Sequence, residues 1–323
     1  MSLNENIADS LRRSTETLWW LIKVMVPASA VVFVLEYTGV LARFSTALEP
    51  ITRSLGLPGE AALVFLTSIL INLYSVIAVV TFLELTVKEL LIISLVCLIA
   101  HNYLVELAVT RRTGTPVWRM FVLRTGAAFV TGYIIARLIP ETPFWTTLVS
   151  GGSGSGGGTG SVVGAGGGAL LPALAVWFSD MLTTLVRIAV IVTILTVGTR
   201  LLHAYGVMTR LASHLQPMMI VFGLPRQTGP AWIVANTLGL AYGAAVLIEE
   251  VDAERFTLEE GDLLNHHLGV SHSLLEDTAL FAAIGAPVVW LIVPRLGMAL
   301  IAVWVRKLEL YLHRLQRYPN PRT

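Results

Sequence analysis

His101, Asn102 and Glu106 in one part of the chain, and His272, Ser273, Glu276 and Asp277 in another, are the residues best equipped for chemistry. A constant offset of 171 residues superimposes His101 on His272, Glu106 on Asp277, Gly114 on Gly285, Pro116 on Pro287 and Arg124 on Arg295. Both copies lie in or beside long apolar segments, where an imidazole or a carboxylate is expensive to keep and so points to function. Imidazole titrates near neutrality, so such groups can exchange protons, hold a cation or bond the hydroxyls and amides of a solute. The plainer alternative is that they bond one another or the backbone and glue helices together. On continuous helices, His272 and Glu276 would share one face a turn apart, as would Asn102 and Glu106, with Cys97 one turn before His101. His101 and Glu106 would diverge by more than a quarter turn unless the helix is distorted.

Asn72 and Asn236 each interrupt an apolar segment. A side-chain amide beside freed backbone groups at a helix break makes a neutral site for a polar ligand or Na⁺, with simple helix packing as the other reading. Tyr74, Ser75 and Thr237 are weaker companions, better read as packing. His266 and His267 are adjacent and point to different helix faces, which argues against a chelate there. Glu84, Glu249, Glu250, Asp252, Glu259 and Glu260 read as solvated turns, and Trp19, Trp20, Trp118, Trp145 and Trp177 suit an interfacial belt.

The elements that must position these groups follow from composition. The 323 residues are 55% hydrophobic and only 13% charged, with a mean hydropathy of +0.73. Apolar runs recur near 18–38, 61–83, 90–110, 120–139, 173–202, 230–248, 274–293 and 296–305. Several approach the ~20 residues that cross a ~30 Å hydrocarbon core. The fold class expected is all-α: a polytopic helical membrane protein with two tandem structural repeats and discontinuous or re-entrant helices. The run from Leu18 is too long for a signal core and reads as a first membrane helix, kinked at Pro27. Residues 150–168, dominated by glycine and serine and free of charge, read as a flexible linker, either an engineered tether or a natural low-complexity loop. They divide a first repeat, 1–149, from a second, 169–323. The tripeptides Gly56-Leu57-Pro58 and Gly223-Leu224-Pro225 are a second repeat signature. Basic residues near both ends favour cytoplasmic termini.

The His-containing segments followed by Gly-x-Pro, the Asn-broken helices before them and the tandem arrangement resemble the nucleoside-recognition gate domain family. That family includes bacterial spore maturation proteins A and B and is related to the gate regions of ferrous iron transporters and to concentrative nucleoside transporters. The resemblance covers about 15–140 and 173–310 and is most specific at Ser271 to Pro287. Val105 stands where Glu276 would align, so the first copy lacks the His-x-x-x-Glu element. The resemblance implies a bacterial inner-membrane protein, and the family name a nucleoside-like ligand.

No zinc-protease motif, nucleophile elbow, phosphate loop or dinucleotide fingerprint is present, so no enzyme and no cofactor is expected. The single cysteine, Cys97, excludes a multi-cysteine metal cage, and no metal-ligand set is assigned. A net charge of +1 without a basic block gives no reason to expect nucleic acid. The function expected is a transporter or permease for a small polar solute. Its midplane site would be formed by Asn72, His101, Asn102, Glu106, Asn236, His272, Ser273, Glu276 and Asp277. The alternatives are a non-transporting scaffold or regulator of the spore-maturation type and a metal-ion permease. The partners expected are the lipid bilayer, a small polar solute or cation, and either further copies of the chain or a partner membrane protein.

Overall fold

The structure, a computed structural model, describes residues 49–70, 72–80, 83–149, 170–206, 217–237 and 256–317, together with isolated positions from 19 to 38 and from 210 to 251. The expectations for the 150–168 linker, for Trp20, for Glu249, Glu250 and Asp252, and for most of the run beginning at Leu18 lie outside the described residues.

The protein is an all-α helical membrane protein. Its elements in order are α1 (Ala61–Leu70), α2 (Leu73–Val80), the two-residue strand β1 (Leu85–Thr86), α3 (Val87–Ile99), α4 (Tyr103–Arg112), α5 (Val117–Leu138), the single turn α6 (Pro143–Thr146), β2 (Leu148–Val149), α7 (Leu170–Ala204), α8 (Gly229–Thr237), α9 (Leu258–Ser271), α10 (Glu276–Ala283) and α11 (Val288–Arg317). Among the described residues the strand pairing is β1 against β2, antiparallel, with Leu85 opposite Val149.

Three stretches of the described residues are long and apolar enough to cross a membrane: Val87–Arg112, Val117–Leu138 and Val288–Gln316. They differ in what surrounds them. Over the most apolar 18 residues of each, 78% of the first are buried within the protein, against 33% and 28% for the other two. Every residue from Leu90 to Ala100 is buried, whereas Phe121, Val122, Ile134, Val289, Val293 and Ile301 leave apolar faces uncovered on α5 and α11. A helix apolar on all sides is a central one, and one with an uncovered apolar stripe faces lipid. Helices α3, α5, α9 and α11 pack against one another pairwise, so the two sides of the Gly/Ser tract meet directly.

Helices α3 and α9 begin alike. Thr86 Oγ1 accepts from the Glu89 amide while Glu89 accepts from the Thr86 amide, and Thr257 and Glu260 repeat the exchange. These capping boxes satisfy amides that a helix start leaves open. Where α9 starts, two backbones touch: a Cβ on Gly261 would lie 2.6 Å from the Thr113 carbonyl oxygen, and one on Gly114 would lie 2.7 Å from that of Leu258.

The apolar runs do not map one to one onto helices. The 61–83 run divides into α1 and α2 on either side of Asn72, as the sequence predicts, but the 90–110 run also divides, at Ala100 to Asn102. The 274–293 and 296–305 runs regroup into α10 and one long α11 that carries Pro294 within it.

Candidate functional site

Helix α3 stops at Ile99 and α9 at Ser271, both in the protein interior. The residues that turn the chain, Asn102 (φ 48°) and Ser273 (φ 53°), adopt the left-handed conformation that non-glycine residues rarely take. Such strain persists only where the surroundings enforce it, and two arginines supply part of that enforcement. Arg124 on α5, fully buried, donates from Nε to the Ile99 carbonyl at 2.8 Å and from Nη2 to that of His101 at 2.9 Å. Arg295 on α11, also fully buried, donates to the carbonyls of Val270 (3.4 Å) and His272, and reaches Thr278 Oγ1 at 3.3 Å. The carbonyls that a helix end leaves unpaired are thus held by charged donors, which is how broken helices are tolerated at membrane depth.

The breaks overturn the sequence expectation of a His272–Glu276 pair on one helical face. His272 caps α9 and Glu276 opens α10, so the two belong to different helices and diverge. The Asn102–Glu106 ladder fails for the same reason: Asn102 caps α4 without a side-chain cap bond, and Glu106 turns to other partners. His101, expected to diverge from Glu106, instead meets it because the helix is interrupted between them.

The result is a buried cluster drawn from both sides of the chain. Glu106 Oε1 lies 3.1 Å from His101 Nε2 and 3.3 Å from His272 Nε2, and the two Nε2 atoms lie 3.3 Å apart. Glu106 Oε2 is 2.5 Å from Arg124 Nη1, an ion pair by proximity rather than an aligned hydrogen bond. The side chains of His101, Glu106 and His272 are 8%, 4% and 1% exposed. His101 Nδ1 lies 3.0 Å from the Cys97 carbonyl and His272 Nδ1 2.7 Å from that of Leu268. A carbonyl only accepts, so both rings are protonated at Nδ1.

Two more carboxylates lead outward from this cluster. Asp277 Oδ2 is 3.7 Å from His101 Nε2. Half-buried Glu276 accepts from the Tyr74 hydroxyl of α2 at 3.0 Å, and its Oε2 would lie 3.0 Å from a Cβ at Gly239. Ser273, buried, donates its amide to the Ala235 carbonyl, and Leu275 donates to that of Asn236. Asn236 Nδ2 donates to the Trp232 carbonyl at 2.9 Å, but its buried Oδ1 has no hydrogen-bond partner among the described residues. Asn72 caps α2, accepting the Ser75 amide at 3.0 Å.

A second polar network is one that the sequence reading missed. Asp262, 3% exposed, accepts from Thr115 Oγ1 (2.7 Å) and Arg306 Nε (2.6 Å), and Asn265 donates to the hydroxyls of Thr113 and Thr115. It ties the α4–α5 turn to α9 and α11. His266 joins it beside Asp262, while His267 turns away to Trp232 and Ser271, as their adjacency predicts. The Arg124–Arg295 correspondence was the available signal for the arginines; Asp262 carried none, lying at the edge of a charged turn.

Lipid-facing helices around an enclosed, interrupted one, with ionisable groups packed at the interruption, define an integral membrane protein. Residues 18–117 match the family model described as Nucleoside recognition, the Gate domain, which bears out the family resemblance read from the sequence; the match takes in Asn72, His101, Asn102, Glu106 and Gly114. Over 289 residues the chain is 28% identical to the uncharacterized membrane protein YvoD of Bacillus subtilis strain 168, an alignment spanning 88% of this chain and 89% of that protein. No solved structure matches the chain.

Proposed function

We propose that the protein is a transporter or permease for a small polar solute or ion. The cluster of His101, His272 and Glu106 lies on its pathway, and Asn102, Ser273, Glu276, Asp277, Asn72 and Asn236 flank that pathway. The observation that carries this reading is the meeting of two interrupted helix pairs, α3–α4 and α9–α10, at one buried charged cluster. A scaffold has no need to hold ionisable groups at two strained breaks, whereas a carrier needs polar groups where its ligand leaves water. Two gate-type repeats that enclose the site between them are part of this proposal, as is a setting in the bacterial cytoplasmic membrane.

Flux into proteoliposomes tests it, with nucleosides, amino-acid derivatives and divalent cations supplied outside. Wild type should exceed protein-free vesicles for at least one of these, and Glu106→Gln should lower that flux at least about tenfold, while Glu141→Gln at an exposed site should not. Equal flux in wild type and empty vesicles, from protein that is folded and inserted, would move the assignment to a membrane scaffold.

A further inference from the structure

The geometry points to a binding site for one divalent transition-metal ion of the Zn²⁺, Fe²⁺ or Co²⁺ class, ligated by His101 Nε2, His272 Nε2 and Glu106 Oε1. The sequence assigned no metal ligands, because these three groups come together only through the two helix breaks. This inference deepens the proposed function by naming the ligand class of the same cluster. It rests on that reading for the cluster's purpose but not on movement of anything through it.

Each histidine turns Nδ1 to a backbone carbonyl, which leaves Nε2 aimed into the cluster. Glu106, held at its other oxygen by Arg124, presents a carboxylate oxygen. Two imidazole nitrogens and one carboxylate oxygen therefore face one another across 3.1, 3.3 and 3.3 Å. A cation bound among them would be a second positive neighbour for Glu106, whose other oxygen already faces Arg124.

The dimensions select what enters. Bonds of about 2.0–2.2 Å at tetrahedral angles put neighbouring ligand atoms roughly 3.3–3.6 Å apart, so this triangle is close to three corners of a zinc-sized tetrahedron. Two imidazoles with one carboxylate suit Zn²⁺ or Fe²⁺ and disfavour Mg²⁺ and Ca²⁺, which take oxygen ligands. The outer contacts match as well. Metal-bound histidines usually donate their second N–H to a carbonyl or carboxylate, and ligating carboxylates are themselves hydrogen-bonded or paired. His101, His272 and Glu106 each have such a partner. The fourth corner is left for water, cargo or Asp277, whose carboxylate lies 3.7 Å from His101 Nε2.

Cobalt is the probe, because its visible absorption reports coordination. The purified full-length protein in detergent, stripped with chelator and titrated with Co²⁺, should take up one ion per chain with the intense bands of tetrahedral cobalt, and Zn²⁺ should displace it. His272→Ala should weaken binding by on the order of 100-fold. Because removal of a buried side chain can unfold a protein, His101→Cys is the second variant. A thiolate ligand there should add a sulfur-to-cobalt charge-transfer band in the near ultraviolet. Folded wild type that binds no stoichiometric cobalt, His272→Ala that binds with full affinity, or His101→Cys that takes up cobalt without the new band would each overturn the site. Stoichiometric binding without flux in vesicles would support the site and remove the transport reading; flux without metal binding would do the reverse.

Discussion

Arg124 and Arg295 each donate to a pair of carbonyls two residues apart, Ile99 with His101 and Val270 with His272, at the point where a buried helix stops. The two arginines share this role but not their surroundings. Arg124 also faces Glu106 at ion-pair distance, whereas Arg295 bonds the neutral hydroxyl of Thr278.

Arg124→Gln should therefore destabilise the protein by about 3–5 kcal/mol, because it leaves Glu106 buried without its countercharge. Glu106→Gln placed in that background should recover part of the loss. Melting of the single and double variants in detergent measures this, and strictly additive losses would show that the two charges do not sense each other.

Gly261 and Gly269 both lie on α9, yet alanine should be tolerated differently at them. At Gly261 the new Cβ would meet the Thr113 backbone at 2.6 Å; at Gly269 it would meet Met120 Sδ, also at 2.6 Å. A methionine can swing aside and a backbone carbonyl cannot. Gly261→Ala should lower the melting temperature clearly more than Gly269→Ala, and equal melting temperatures would contradict the close approach.

Asp262→Asn should cost about 1.5–3 kcal/mol by weakening its charged bond to Arg306 and its contact with Thr115. Cobalt binding at His101 and His272 should survive in whatever fraction stays folded, since Asp262 belongs to a separate network. Loss of cobalt from folded Asp262→Asn would tie the two networks together.

Cys97 lies on the enclosed face of α3 with 0% exposure. A membrane-permeant maleimide should label it slowly in the folded protein and rapidly after denaturation. Fast labelling of the folded protein would show that α3 is not enclosed.

Much of this was legible in the residues. The 171-residue offset, the Gly-x-Pro turns and the break at Asn72 all follow from residue types that the backbone constrains. The break at His101 was hidden, because Asn102 and Ser273 replace the glycine that normally announces a left-handed turn and what holds them comes from another helix. Extending the helical period through the matching break after Ser271 produced the false His272–Glu276 pairing. Glu259 and Glu260, which read as part of a solvated turn, instead form the first turn of α9, where Thr257 and Glu260 close a capping box. The convergence of both histidines on Glu106 was not readable, since it depends on how α9 and α10 settle against α3 and α4.

The burial of α3 and of Glu106 also has a meaning in time. Glu106 leaves the ribosome well over a hundred residues before His272, an interval of roughly ten to thirty seconds at ordinary synthesis rates. Throughout that interval the first-made segment carries a carboxylate and an imidazole that still lack His272 and Asp277. Arg124, synthesised almost immediately afterwards, is the early guardian of that charge, and the later histidine arrives at a place already prepared for it.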